Sequence, residues 1–232
     1  MTTQFTLIGL TGYAGAGKDT AADFLVKHCG FSKIAFADDL RSQISGAFSL
    51  GLNSKILHEN KETPSEYLTL HNCSDDSFVD TVLRINDIHT PEREEEFIRE
   101  ELTPRQVMQW WGTEYRRAQK TNYWTDLMRR RISDMVGMVG QDKIVISDVR
   151  FGNEADCIHE LGGLLWRIEN YKAQKNYRSS NKHESETQNK SFKLDKVIPN
   201  HTTRADFRSR IFENYFSHLT GLDVACYFWE RR

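Results

Sequence analysis

The residues of this chain best suited to chemistry open at Gly9, in the run GLTGYAGAGKDTAADFL. Gly12, Gly15 and Gly17 are interleaved with Tyr13, Ala14 and Ala16 ahead of Lys18. Glycine lets backbone N–H groups turn inward around phosphate oxygens, and a side chain at Gly15 or Gly17 would obstruct that approach. The spacing Gly12-x-x-x-x-Gly17-Lys18 is that of a phosphate loop. Its lysine is placed to reach β- and γ-phosphates, and a helix starting there adds the positive end of its dipole. One feature departs from the common form. Asp19 follows the lysine where Ser or Thr usually ligates Mg²⁺, and Thr20 comes one position late.

A second constellation is VISDVRFGNEAD, residues 145–156. Asp148 stands at the end of the most β-branched run of the chain and suits a carboxylate that holds Mg²⁺ or its waters. Arg150 is placed to grip a phosphate with two parallel hydrogen bonds. Glu154 reads either as a first-turn helix residue or as a second acidic group of the site. In FADDLR, Arg41 lies about one turn into a helix, facing where an acceptor phosphate would sit. TPRQVMQWWGTEYRR carries Arg105, Gln109 and Arg116 near one helical face, and Arg116 and Arg117 are candidate phosphate clamps. Gln109 is an amide able to read a base edge, whereas Trp110 and Trp111 read as core.

A basic stretch poor in aliphatic residues, NYKAQKNYRSSNKHESE, holds Lys172, Lys175, Arg178, Lys182 and His183. Between two strands it reads as a lid that would exclude water from a transfer reaction. Its Asn181-Lys182-His183-Glu184 ends in Glu rather than Asp and is not a guanine-reading motif.

The elements that must position these residues follow from periodicity. Short apolar runs predict strands at Phe5 to Leu10, Lys33 to Ala37, Lys143 to Asp148, Leu164 to Ile168 and Lys196 to Ile198. Helical spacing follows every strand but Leu164 to Ile168, which leads into the basic stretch; the last helix carries Phe207, Ile211, Tyr215 and Leu219, and Asp38 and Asn153 are expected N-caps. Thr103-Pro104-Arg105-Gln106 has the form of a capping box. From about residue 51 to 101 the pattern weakens, and EREEEF reads as a solvated helix face. Strands alternating with helices predict a mainly parallel α/β sheet with helices on both faces, binding ligands at the strands' carboxyl ends.

Composition bounds the rest. At 232 residues with a net charge of −2, the chain fits one domain and does not suit binding of polymeric nucleic acid. Four scattered cysteines without C-x-x-C spacing are expected as reduced thiols of a cytoplasmic protein. No apolar run approaches the ~20 residues that cross a bilayer, so no membrane partner is expected.

Together GYAGAGKDT, FADDLR, TPRQVMQWWGTEYRR, Tyr123-Trp124, ISDVRFGNEAD, Gly162-Gly163 and HESE at His183 to Glu186 resemble the phage-type deoxynucleoside monophosphate kinases. The K-x-T ending of the loop is similar to kinases of the adenylate kinase type. There, Thr20 would hydrogen-bond phosphate while phosphates and water hold most of the Mg²⁺ shell. Asp19 would then orient a magnesium-bound water, or serve only as an acidic first-turn residue. The resemblance implies a three-layer αβα P-loop kinase fold with about five strands, ATP and Mg²⁺ as cosubstrates, a deoxynucleoside monophosphate acceptor, and a homodimer. By position it implies roles for Lys18, Asp19, Thr20, Arg116, Trp124, Asp148, Arg150 and Glu154. The expected acceptor side comprises Asp38, Arg41, Arg105, Gln109, Arg116, Arg117, Trp124, Arg150 and Glu154. In domain terms, residues 38–122 would form the acceptor-binding helical region and 169–191 the lid. One departure is IPNHTT, where glycine is expected before the threonine. Rival readings are a P-loop kinase of another phosphorylated acceptor, of phosphomevalonate or dephospho-coenzyme A type, and a non-catalytic nucleotide-binding module.

Overall fold

The computed structural model describes residues 5–59, 61–178 and 192–220. Two compact units divide the chain, one of Met1–Phe36 with Met128–Arg232 and the other of Ala37–Leu127.

The first unit is built on β1 (Thr6–Thr11), β2 (Ser32–Ile34), β3 (Lys143–Ile146), β4 (Leu164–Glu169) and β5 (Lys196–Pro199). These strands form one sheet in the order β2-β3-β1-β4-β5, and every neighbouring pair runs parallel. Alternation along β1 assigns its two faces. Ile8 and Leu10 are buried with Ala21, Ala22 and Leu25 of α1 (Lys18–Cys29) and with Phe207, Ile211 and Tyr215 of the C-terminal helix Arg204–Thr220. Gly9 faces the other way, where a Cβ would stand 3.0 Å from Ile158 of the helix Gly152–Glu160. Helices therefore cover both faces, giving the three layers expected from the strand–helix alternation.

Connections leaving β1 and β4 run to opposite edges of this sheet, so the crevice for a ligand opens at the carboxyl ends of those two strands. The glycine-rich loop is the segment that leaves β1.

The second strand ends at Ile34 rather than Ala37, and α2 (Phe36–Ala47) starts earlier than the Asp38 cap predicts. Its first N–H, on Phe36, is accepted by Asp148 Oδ1 at 2.7 Å. A partner 112 residues away has done what a local N-cap would do, and Asp38 falls in the first turn. The helix Gly152–Glu160 likewise starts before Asn153, because Glu154 turns back to accept from the N–H of Phe151 at 3.2 Å.

The second unit is helical. After α2 come 3₁₀ turns at Gly51–Leu57 and Leu70–Asn72, then α3 (Asp76–Ile85), α4 (Pro91–Phe97) and α5 (Pro104–Gln109). None of the α4 residues is buried, as the charge run EREEEF predicts. The capping box of α5 is complete: Gln106 N–H donates to Thr103 Oγ1 at 3.2 Å and Thr103 N–H to Gln106 Oε1 at 2.9 Å. Beyond Gln109 the helix widens into a π-helical segment, Trp110–Arg117. Phe48, Phe78, Trp111 and Tyr115 pack ring against ring in the core of this unit, edge-on except for the tilted Phe78–Trp111 pair. The remaining helices among the described residues are α6 (Tyr123–Gly137), α7 (Gly152–Glu160), α8 (Tyr171–Arg178) and α9 (Arg204–Thr220).

Candidate active site

The loop between β1 and α1 holds its shape through backbone positions that tolerate no side chain. Gly12 has φ +136°, and a Cβ there would stand 2.4 Å from the Ile168 carbonyl oxygen of β4. Gly17 has φ +106°, and its Cβ would meet Asn200 Nδ2 at 2.5 Å. At Gly17 the steric demand thus comes from the protein itself. Asn200 follows β5 and donates its side-chain amide to the Ala16 carbonyl at 2.8 Å. It is anchored in turn by its own N–H on Glu169 O at 2.7 Å. Ala16 is fully buried beneath the loop, whereas Ala14 and Gly15 are exposed at its crest.

Lys18 reaches back across the loop, donating from Nζ to the carbonyls of Gly12 at 2.7 Å and Tyr13 at 3.0 Å. The ammonium is thereby held over the concave backbone. Thr20 lies half-buried in the first turn of α1. Asp19 is turned outward with its side chain 80% exposed and pairs with Lys33 at 2.9 Å. Lys33 also pairs with Asp23 at 2.9 Å. Partial burial pulls the Lys33 pKa down, but the two carboxylates outweigh it, and the net shift is upward.

Asp148 and Arg150 leave the end of β3 beside β1, because Val149 N–H donates to Leu10 O at 3.1 Å. Asp148 gives one carboxylate oxygen to Phe36 N–H. Glu154 is 2% exposed and accepts from the backbone N–H of Arg150 at 2.7 Å, which fixes the turn that carries the exposed Arg150 side chain. Of its two readings, the structure displays the turn-holding one.

In the second unit, Asp38 and Arg41 form an ion pair at 2.9 Å. They line an open cleft of about 360 Å³ together with Ser42, Ser45, Ser54, Leu57 and His58. Arg41 Nε is buried there without a hydrogen-bond partner among the described residues. Burial, Arg41 and Lys61 all hold the His58 imidazole below its ordinary pKa, which keeps it neutral near pH 7.

Arg116 sits in a box of rings. Its guanidinium carbon lies 4.3 Å from the centroid of Tyr115, 5.3 Å from Trp111 and 5.4 Å from Tyr123. Arg105 and Gln109 do not share its face: Gln109 is exposed and Arg105 pairs with Glu62 at the surface. The π-helical segment between them widens the turn, so an α-helical stripe drawn through all three is broken. Arg117 is half-buried. Trp124 is 4% exposed, and its indole N–H donates to Gly112 O at 3.0 Å, an anchoring contact inside the unit. Lys175 lies exposed on α8, the helix that ends at Arg178, while Lys182 and His183 fall outside the described residues.

A profile of the deoxynucleotide monophosphate kinases matches residues 52–211. The chain belongs to that family. A provisionally named deoxynucleotide monophosphate kinase of Acanthamoeba polyphaga mimivirus is 32% identical over 216 residues, covering 88% of this chain and 93% of the relative. Among solved structures, a dephospho-CoA kinase from Campylobacter jejuni aligns at 15% identity and a TM-score of 0.42, covering 93% of this chain and 98% of its own. A sugar kinase from Janibacter sp. HTCC2649 aligns at 11% identity and a TM-score of 0.41, over 89% and 91%. Likenesses this distant carry no argument about the acceptor.

This kinase is thus a phosphotransferase, and its glycine-rich loop has the strand–loop–helix setting that the sequence predicts. The sequence did not single out Asn200, Gln43 or Asp75. Asn200 lies in IPNHTT, where the chain departs from the family pattern. Asp75, the second residue of SDDSF, is of a type that favours N-caps, and its side chain does accept from Phe78 N–H at 3.1 Å. Nothing in the sequence indicates that the same carboxylate meets Arg116.

Among the described residues no helix is long and apolar enough to cross a membrane.

Proposed function

We propose that this kinase transfers the γ-phosphoryl group of ATP to the 5′-phosphate of a deoxynucleoside monophosphate, giving ADP and a deoxynucleoside diphosphate. The observation that carries the proposal is Lys18, whose Nζ is held over the loop carbonyls of Gly12 and Tyr13 between β1 and α1. An ammonium there, with loop N–H groups and the N-terminus of α1, neutralises donor phosphates. The acceptor phosphate is already an anion at neutral pH and needs no strong general base. Catalysis is then positioning plus charge neutralisation in an in-line transfer.

In this scheme Gly12, Gly15, Gly17, Lys18 and Thr20 hold the donor. Arg150 neutralises the group in flight. The acceptor is bound by residues of the second unit, Arg41 in its cleft and Arg116 in its box. Arg41 Nε, a buried donor without a partner among the described residues, suits a phosphate oxygen.

Mg²⁺ fits the donor set, since the ion is held by one or two carboxylates together with phosphates and waters. Asp148 would offer one carboxylate at the end of β3, and Asp19, engaged by Lys33, would act on the ion through a water. When bound, the ion would offset charge on the phosphates.

The test is ADP release measured by a coupled assay with ATP and Mg²⁺ across deoxynucleoside monophosphates, ribonucleoside monophosphates, phosphomevalonate and dephospho-coenzyme A. Turnover with deoxynucleoside monophosphates in preference to the rest supports the proposal. Preference for a non-nucleotide acceptor, or tight ATP binding with no acceptor-dependent turnover, defeats it.

A further inference from the structure

Arg116 makes two polar contacts that compose one frame. Its Nε donates to Gln43 Oε1 at 3.1 Å, and its Nη2 reaches Asp75 Oδ2 at 3.4 Å. Both acceptors are themselves tied down. Gln43 Oε1 also accepts from the indole N–H of Trp111 at 3.0 Å, while its Nε2 donates to the Tyr123 hydroxyl at 2.9 Å. Exchanging the amide oxygen and nitrogen would set N–H groups against two donors, so the network admits one amide orientation. Asp75 Oδ1 accepts from the Tyr115 hydroxyl at 2.8 Å and, as N-cap of α3, from Phe78 N–H at 3.1 Å. Burial and the bond to Asp75 push the Tyr115 pKa up, so it stays a donor.

The π-helical segment has a part in this frame. Trp111, Tyr115 and Arg116 all lie within Trp110–Arg117. There the ring of Tyr115 lies against the guanidinium of its sequence neighbour, an adjacency that lets Tyr115 and Arg116 share Asp75.

We propose that Gln43 and Asp75 are positioning residues for Arg116, fixing its guanidinium so that it meets the acceptor's phosphate without a search through rotamers. This rests on the reading of Arg116 as an acceptor ligand given above. A free arginine must lose much rotamer freedom on binding an oxyanion, and one already stacked and hydrogen-bonded has lost it beforehand. Asp75 would also give the weakly patterned segment 51–101 a direct part in the acceptor side expected over residues 38–122.

The test is a set of double-mutant cycles read as kcat/KM for the best deoxynucleoside monophosphate, with KM for ATP as internal control. Gln43→Met keeps the side-chain length and removes both polar atoms. Asp75→Ser keeps an N-capping oxygen for α3 while withdrawing the carboxylate from Arg116. Each is expected to lower acceptor kcat/KM about tenfold, with KM for ATP unchanged within about twofold. In an Arg116→Ala background neither should cost more than about a further twofold, since the residue they hold is gone. Losses that multiply in that background, or that fall equally on ATP, overturn the proposal in favour of a general structural role. Wild-type acceptor kinetics in Arg116→Ala alone would remove the acceptor role of Arg116, a separate failure that takes this inference with it. If Asp75→Ser does not fold, the Gln43→Met cycle decides by itself.

Discussion

Asn200 and Gly17 fit against each other so closely that a methyl group on residue 17 would stand 2.5 Å from the Asn200 amide nitrogen. That amide donates to Ala16 O at 2.8 Å, so one side chain from the end of β5 holds up the phosphate loop that follows β1. Asn200→Ala is expected to cost about 1 kcal/mol of stability through the lost hydrogen bond. It should also raise KM for ATP severalfold while leaving KM for the acceptor alone. Gly17→Ala should abolish ATP binding, and Asn200→Gly should not rescue it, because φ +106° remains hostile to a Cβ. Calorimetric ATP titration of the three proteins checks both statements.

Lys18→Ala removes an ammonium that contacts two loop carbonyls and is only part-buried. Turnover is expected to fall by about 10³-fold or more, with the thermal midpoint nearly unchanged. Near-normal kinase activity in this variant would remove Lys18 from the chemistry.

Asp148 accepts from Phe36 N–H at 2.7 Å and, in the proposed scheme, would also present a carboxylate to Mg²⁺. Asp148→Asn keeps an acceptor oxygen for Phe36 and is expected to hold stability within about 1 kcal/mol while kcat falls about 10²-fold. Asp148→Ala should lose the same activity and a further ~1–3 kcal/mol in urea unfolding, since the first N–H of α2 is left unmet. Full activity in the Asn variant would leave Asp148 a structural residue only.

Glu154, 2% exposed, accepts from the N–H groups of Arg150 and Phe151 at 2.7 and 3.2 Å. Glu154→Ala leaves both donors without that acceptor, and a loss of about 2–3 kcal/mol is expected in denaturant titration. The Arg150 turn would loosen with it, so kcat should drop as well, and an unchanged kcat would separate the turn from the chemistry.

Burial raises the Cys73 thiol from 9.0 to about 11. The folded state therefore keeps a proton that the unfolded chain loses, so this contribution to stability is complete below pH 9 and fades as the pH climbs towards 11. Unfolding measured across that range should show a decline that Cys73→Ala diminishes. At pH 8 Cys29, Cys73 and Cys157, all buried, should resist maleimide labelling in the native protein, as peptide mass mapping would show. Rapid labelling of Cys73 would contradict the burial.

The sequence by itself determined whatever a few neighbouring residues decide. The setting of the glycine-rich loop between β1 and α1 was legible because glycine spacing, the lysine and the flanking strand and helix are local and periodic. The same holds for the Thr103–Gln106 capping box and for the apolar strands, all of which formed. The start of α2 was misplaced because its cap is Asp148, supplied from across the chain. The stripe through Arg105, Gln109 and Arg116 failed because a π-helical segment has no local signature in residue type. Gln43, Asp75 and Asn200 were silent, since an amide or carboxylate acquires a role only from what folding sets against it. Tertiary structure alone decided which donors they would meet, because hydrogen bonds between distant segments exist only once packing has brought those segments within 3 Å or so.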